Sequence, residues 1–277
     1  MKNYLRILQN VLDNGINKDD RTKTGVRSLF GEKMRFDLNK GFPLLSTKRI
    51  YIKGVLAELL WFISGETNLE HLHKNNCHIW DEWADEKGDL GPIYGQQWRN
   101  WQGAQDKYDQ LAILMENLVK NPNSRRHILN AWNLDDLPDE SLSPQENVEN
   151  KKMALAPCHL LAQFYVINNR LSCQMYARSQ DFFLGTPFNI ASYAFLTHMI
   201  AHQLGLEVAE LIWIGGDVHL YNNHISQVKK QLGRTPKALL PTLTFNRKPD
   251  NLFSYKVDDF IINNYSPEPA IKADIAI

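Results

Sequence analysis

The stretch PCHLLAQFYVINNRLSCQMYARSQ, residues 157–180, decides how the middle of the chain folds. Phe-Tyr-Val-Ile at 164–167 and Arg-Leu-Ser-Cys at 170–173 flank Asn168 and Asn169. Two adjacent asparagines tolerate the positive φ angles of a type I′ turn, so the segment reads as a β-hairpin. Counting back from the turn brings Arg178 and Ser179 beside Cys158 and His159, within about one residue of register. A guanidinium beside a thiol favours the thiolate, which is the nucleophilic form. His159 follows Cys158 in a strand and points to the opposite face, which counts against a Cys–His hydrolase pair. The competing reading of Cys158 is a small buried core residue. Cys173, mid-hairpin with no charge near it, takes that reading.

Outward from the hairpin, the 277-residue chain is 43% hydrophobic and 22% charged, enough for one large core or two modest ones. Its 31 basic and 31 acidic side chains cancel, so no bulk field attracts nucleic acid or membrane, and any anion site must be local. Three cysteines and an amphipathic start, MKNYLRILQNVLDNG, without an uninterrupted apolar stretch fit a reduced, cytoplasmic enzyme with no leader. The most apolar segment, VLAELLWFI at 55–63, carries Glu58 and is too short to span a bilayer.

Periodicity predicts helices at 2–14, 53–64, 68–74, 108–120, 189–205 and 219–232, the first burying Tyr4, Leu5, Leu8, Val11 and Leu12. Strands are predicted near 26–37, 126–133, 158–167, 170–179, 209–214 and 241–246. This mixed order favours α+β over a doubly wound sheet, and the absence of GxGxxG and Walker loops speaks against Rossmann and P-loop sites. The acidic, proline-punctuated LDDLPDESLSPQENVENKK at 134–152 reads as a surface loop inserted into one domain.

Certain side chains carry chemistry by their context. Glu58 sits where helical spacing asks for an apolar residue, so either its pKa is raised toward neutrality or a structural partner satisfies it. Asn189 follows Pro187-Phe188 at the head of an apolar run, which suits an N-cap. His219 and Tyr221 share a face if their segment is extended. Arg125-Arg126 after Asn-Pro-Asn-Ser is either a solvated turn or half of an anion site. His198 and His202 have helical spacing but no third ligand, so no metal is expected.

SRRHILNAWN at 124–133, PCH at 157–159, RSQDFFLGTPFNIASYA at 178–194 and GGDVHLYNNH at 215–224 resemble, in this order, the thymidylate synthase family. So do DRTKTG at 20–25, ELLWFISGETN at 58–68, IWDEWADEKGDLGPIYGQQWR at 79–99 and the terminal IKADIAI. The resemblance covers essentially the whole chain apart from the acidic insertion. It implies a homodimer of single α+β domains, each built on a large twisted mixed sheet with flanking helices and joined through the sheet face. It also implies reductive methylation of dUMP to dTMP, with 5,10-methylenetetrahydrofolate giving the carbon and the hydride and leaving as dihydrofolate. The alternative on the same fold is dUMP 5-hydroxymethylation.

Residue by residue, the resemblance makes Cys158 the nucleophile and Glu58 the proton shuttle, with Arg178, Asp181 and Asn189 completing the catalytic set. The Asn189 amide would meet O4 and N3–H of uracil, where aspartate would suit cytosine. His219, Leu220 and Tyr221 would lie along the deoxyribose. Arg21, Arg178 and Ser179, with Arg125 and Arg126 of the neighbouring subunit, would hold the nucleotide phosphate, and Gln180 and Asp181 would also bind dUMP. Lys48, Tyr51, Trp80, Trp83, Asp181 and the terminal Ala276 would hold folate. Three positions depart from the pattern: Tyr51 replaces a histidine, Lys23 a glycine and Ala177 a glutamine.

Overall fold

In the computed structural model, which describes residues 1–20 and 22–275, Asn168 and Asn169 take φ angles of 48° and 59°. The strands His159–Ile167 and Arg170–Asp181 therefore fold back on each other, with Ile167 opposite Arg170. The register shifts once between His159 and Leu161, and the Arg178 N–H donates to the Cys158 carbonyl at 2.8 Å. The counted pairing of Cys158 with Arg178 holds. A β-branched residue resists the left-handed region, so Asn169→Val is expected to lower stability by roughly 1–2 kcal/mol, measurable by denaturant unfolding.

The hairpin forms part of a six-stranded mixed sheet in the order Ile16–Lys18, Val26–Asp37, Glu207–Tyr221, Arg170–Asp181, His159–Ile167, Ile128–Asn130. Among the described residues only the pair Arg170–Asp181 and Glu207–Tyr221 is parallel, and the helix Gly185–Leu204 supplies the crossover that a parallel pair requires. Helices flank the sheet, so the α+β reading stands. The topology gathers the site. Asp181 pairs with His219, Val26 with Tyr221, and Cys158 abuts Arg178, so chemically useful residues from four strands meet at one end of the sheet.

The helix Lys2–Asn14 buries Tyr4, Ile7, Leu8, Val11 and Leu12; Ile7 takes the place expected of Leu5, which is only partly buried. Tyr4 stacks on Phe182 at 4.7 Å and donates to its carbonyl at 2.7 Å, which pins the chain just past Asp181. The helix Ile52–Ser64 carries Glu58 and ends at Gly65, whose φ of 83° suits glycine.

Three expectations are corrected and one strand gains an unexpected partner. The central helix starts at Gly185 and not at 189, because Pro187 falls in the first turn, where backbone N–H groups have no intrahelical acceptor to lose. Asn189 is therefore not an N-cap. Residues 219–221 are strand, the helix there beginning only at Ile225. The Gly215-Gly216 pair broke the sequence pattern, yet Gly216 belongs in the sheet: a Cβ there would lie 2.8 Å from the Arg178 carbonyl oxygen. The strand Thr242–Phe245 finds its partner in Phe260–Asn263, which periodicity did not reveal. Finally, the 134–152 segment is no mere surface loop. It contains the capped helix Pro144–Glu149 and a buried side chain, Asn147.

Candidate active site

A cavity of about 440 Å³ opens at the gathered end of the sheet, lined among others by Cys158, Arg178, Ser179, His219, Tyr221 and Trp83. Cys158 is half-buried at its wall. Its N–H donates to the Tyr94 hydroxyl at 2.8 Å, and its carbonyl accepts from Arg178, so the backbone on both sides of the thiol is fixed. The Arg178 side chain runs back along the same segment. Its Nε donates to the Pro157 carbonyl at 2.9 Å and an Nη to the Ala156 carbonyl at 3.0 Å. The guanidinium also lies 5.3 Å from the ring centre of Trp132.

His159 faces away. It is buried, stacks on Tyr94 at 4.2 Å and meets the Tyr193 hydroxyl at 3.1 Å, and burial pushes its pKa down to about 3. A neutral imidazole locked in the core cannot serve as a base for the neighbouring thiol. Cys173 is also a core group, its pKa pushed up to about 12 by burial.

Behind the cavity stands Glu58, 7% exposed. Burial lifts its pKa to about 7, opposed only in part by the Trp80 indole N–H, which donates to Oε1 at 2.8 Å. Both readings of Glu58 are thus realised: it has a structural partner and it titrates near neutrality. Trp80 meets Tyr94 edge-on at 6.2 Å, so Glu58, Trp80, Tyr94 and Cys158 form a continuous chain of contacts.

Asn189 is positioned by Gln180, whose amide N–H donates to Asn189 Oδ1 at 3.0 Å. Gln180 is buried, and its own oxygen accepts from Thr186 at 3.0 Å and from the Trp213 indole at 3.1 Å. That triple engagement fixes which way the Asn189 amide faces. His219 meets Asp217 at 3.1 Å, and Asp217 also accepts from Lys18 at 2.8 Å and Ser28 at 2.6 Å. The His219 bond first, and the other two with it, hold the Asp217 carboxyl far below the usual carboxylate range. Tyr221 meets His219 edge-on at 5.2 Å, while Leu220 between them is buried in the core.

Asp181 Oδ1 accepts from the N–H groups of Phe183 and Leu184 at 2.9 and 3.0 Å, capping the turn into the central helix. Lys48 is buried beneath this turn, its amine bonded to the Phe183 carbonyl and 3.6 Å from the Phe183 ring centre. Burial lowers its pKa to about 8, with Asp181 opposing the shift. Trp83 lines the cavity and Trp80 stands behind it. The Trp83 indole nitrogen is buried with no hydrogen-bond partner among the described residues. Tyr51 is apart, half-exposed in a separate groove with Arg49, Lys53 and Tyr265.

Arg125 and Arg126 are exposed beside the edge strand and do not line this cavity. Arg21 and Ala276 lie outside the described residues. Lys23, beside Arg21, has a φ of 58°, the region glycine enters at least cost. Ala177 is fully buried opposite His159. Of the two helical histidines, His198 is half-buried with its ring 5.6 Å from that of Phe42, and His202 stacks on Phe245 at 4.3 Å, so their spacing serves packing. One exposed group among the described residues, His73, His78 and Asp81, has ligand atoms within 4.8 Å of one another. No helix among the described residues is long and apolar enough to cross a membrane.

Sequence reading missed Tyr94, Asp217 and the order within the insertion. Tyr94 stands in a quoted motif, but nothing local told its hydroxyl from that of any core tyrosine.

A half-buried thiol in the wall of a cavity that a guanidinium, hydroxyls and an imidazole also line is the equipment of an enzyme using nucleophilic catalysis on an anionic substrate. The comparisons narrow that class. Residues 2–277 match the family model described as thymidylate synthase. Thymidylate synthases of Francisella tularensis subsp. holarctica are 56% identical over 277 residues, the full length of both chains. That of Francisella philomiragia subsp. philomiragia is 55% identical over the same span. The chain belongs to the thymidylate synthase family.

Proposed function

We infer that this chain, a thymidylate synthase, methylates dUMP through a thioether between Cys158 and carbon 6 of uracil. The observation that carries the reading is Cys158 fixed at the cavity wall directly opposite Arg178. Carbon 5 of uracil is a weak nucleophile. Addition of the Cys158 thiolate to carbon 6 converts the ring to an enolate and makes carbon 5 reactive. Arg178 favours the thiolate and, with Ser179 and Arg21, holds the phosphate, which a guanidinium grips in two places at once. Asn189, oriented by Gln180, presents its amide to the uracil edge. His219 and Tyr221 bond the sugar hydroxyl. Glu58, titrating near neutrality, moves protons between solvent and the uracil ring.

Methylenetetrahydrofolate supplies the one-carbon unit and the hydride when bound, and no metal is needed. The residues present fit a flat ring: Trp83 offers an indole face and an unpartnered N–H, and the Asp181 turn sits near the buried Lys48 amine. A tritium label at carbon 5 of dUMP should be released in step with dihydrofolate. Release without folate turnover, or turnover without release, would contradict substitution at that carbon.

The whole chain acts as one catalytic domain, working in the cytoplasm as a homodimer joined through the open face of the sheet. Ile128, Tyr165 and Ile167 are exposed on that face, more apolar surface than water favours. Arg125 and Arg126 precede Ile128 at the same edge, so a second copy there would receive them at its own phosphate site. Mixing Cys158→Ala with Arg126→Ala subunits then leaves one intact site in each mixed dimer. Random exchange should restore about a quarter of wild-type turnover. Confirmed mixed dimers without activity would rule out shared sites.

A further inference from the structure

Residues 137–152 leave the fold and return to the point of departure, because the Met153 N–H donates to the Asp136 carbonyl at 2.9 Å. Between those ends the excursion supports itself. Ser143 and Glu146 form a capping box for Pro144–Glu149. The Asn147 amide accepts from the Asp139 N–H at 2.7 Å and donates to the carbonyls of Asp139 and Ser143, both at 3.0 Å. A side chain of this unit, Gln145, bonds to the Trp83 segment. Gln145 Nε2 donates to the carbonyls of Glu82 and Ala84, at 3.2 and 3.1 Å, one on each side of Trp83. The near end of the same turn is held by Asp81, bonded to His73 and His78 at 2.8 Å each. Pro138, Leu142 and Pro144 then line the Cys158 cavity together with Trp83.

We propose that the 137–152 excursion is a positioning device for the folate co-substrate: Gln145 sets the Trp83 indole, and Pro138, Leu142 and Pro144 close the cavity over the bound ring. This rests on the reading that Trp83 contacts folate. A self-supported unit tied to the carbonyls on both sides of Trp83 can set the indole through that segment and not through Arg178, Asn189 or His219. Its effect should therefore fall on folate and leave dUMP alone.

The test uses the full chain with Gln145→Glu, which keeps the shape but turns a carboxylate toward two carbonyl oxygens. Losing two hydrogen bonds and adding repulsion should raise KM for methylenetetrahydrofolate about tenfold, with kcat within about threefold and dUMP affinity unchanged. Gln145→Lys, which restores a donor, should recover most of the loss. Replacing 137–152 by two glycines should raise folate KM at least as far. Trp83→Leu serves as the control. If it raises folate KM while Gln145→Glu and the excision do not, the positioning role is overturned and the folate site stands. If Trp83→Leu leaves folate KM unchanged, the folate reading itself fails and takes this proposal with it. Equal loss of dUMP and folate binding in both insertion variants would mean a merely structural role and would overturn the proposal.

Discussion

Cys158→Ala is expected to lower turnover by roughly ten-thousand-fold or more while dUMP affinity changes by no more than about threefold. The two effects separate because the substitution removes the bond to carbon 6 while the backbone on both sides of residue 158 stays fixed. The N–H to Tyr94 and the carbonyl to Arg178 are backbone groups, so the substitution leaves the wall of the cavity and the Arg178 side chain where they are. Binding is then read by calorimetry on the inactive variant and turnover by dihydrofolate absorbance. Turnover within tenfold of wild type would remove covalent catalysis from the mechanism. Loss of nucleotide binding together with turnover would point to a collapsed site.

Glu58→Gln is expected to lower kcat by roughly a hundred- to ten-thousand-fold, the range for losing a positioned proton-transfer group. The same change should stabilise the fold at alkaline pH, a combination that a purely structural carboxylate would not give. The folded protein holds the Glu58 pKa at about 7 against 4.5 in an open chain, chiefly through burial. The protonated form therefore favours folding. Its contribution is fully present below 4.5 and is lost as pH rises through about 7, where the buried group must ionise. A neutral amide keeps that contribution and still accepts from Trp80. Denaturant unfolding should show wild type and Glu58→Gln alike near about pH 4, and the variant ahead by about 3 kcal/mol above about pH 8, at roughly 1.4 kcal/mol per pH unit. Parallel curves across that range would mean that Glu58 is not buried in its ionisable form.

Turn chemistry is local, which is why the Asn168-Asn169 pair sufficed to bring Arg178 to Cys158. Glu58 was legible for a related reason: one carboxylate in an apolar helix has few explanations. Asn189 was half legible. Its amide was noticed, but the helix start depends on how Pro187 is tolerated, and its orientation depends on Gln180 across the crossover. Residues 219–221 were misread because a glycine pair weakens any strand pattern, while the need for glycine at 216 arises from the neighbouring strand. The insertion was misread for the opposite reason. Its composition is that of a solvated loop, and its order comes from one buried amide, Asn147, together with a long-range clasp between Gln145 and the carbonyls of Glu82 and Ala84. No local pattern announces a side chain that bonds to carbonyls more than sixty residues away. That Ile128, Tyr165 and Ile167 are exposed together was likewise invisible until the strands that carry them were seen side by side.

The most direct test of the central claim is a product analysis of the unmodified protein with dUMP and methylenetetrahydrofolate, the nucleotide identified by mass and dihydrofolate followed by absorbance. Thymidylate and dihydrofolate in equal amounts are expected, both absent with Cys158→Ala. A hydroxymethyl nucleotide accompanied by tetrahydrofolate, or thymidylate still formed by Cys158→Ala, would contradict it.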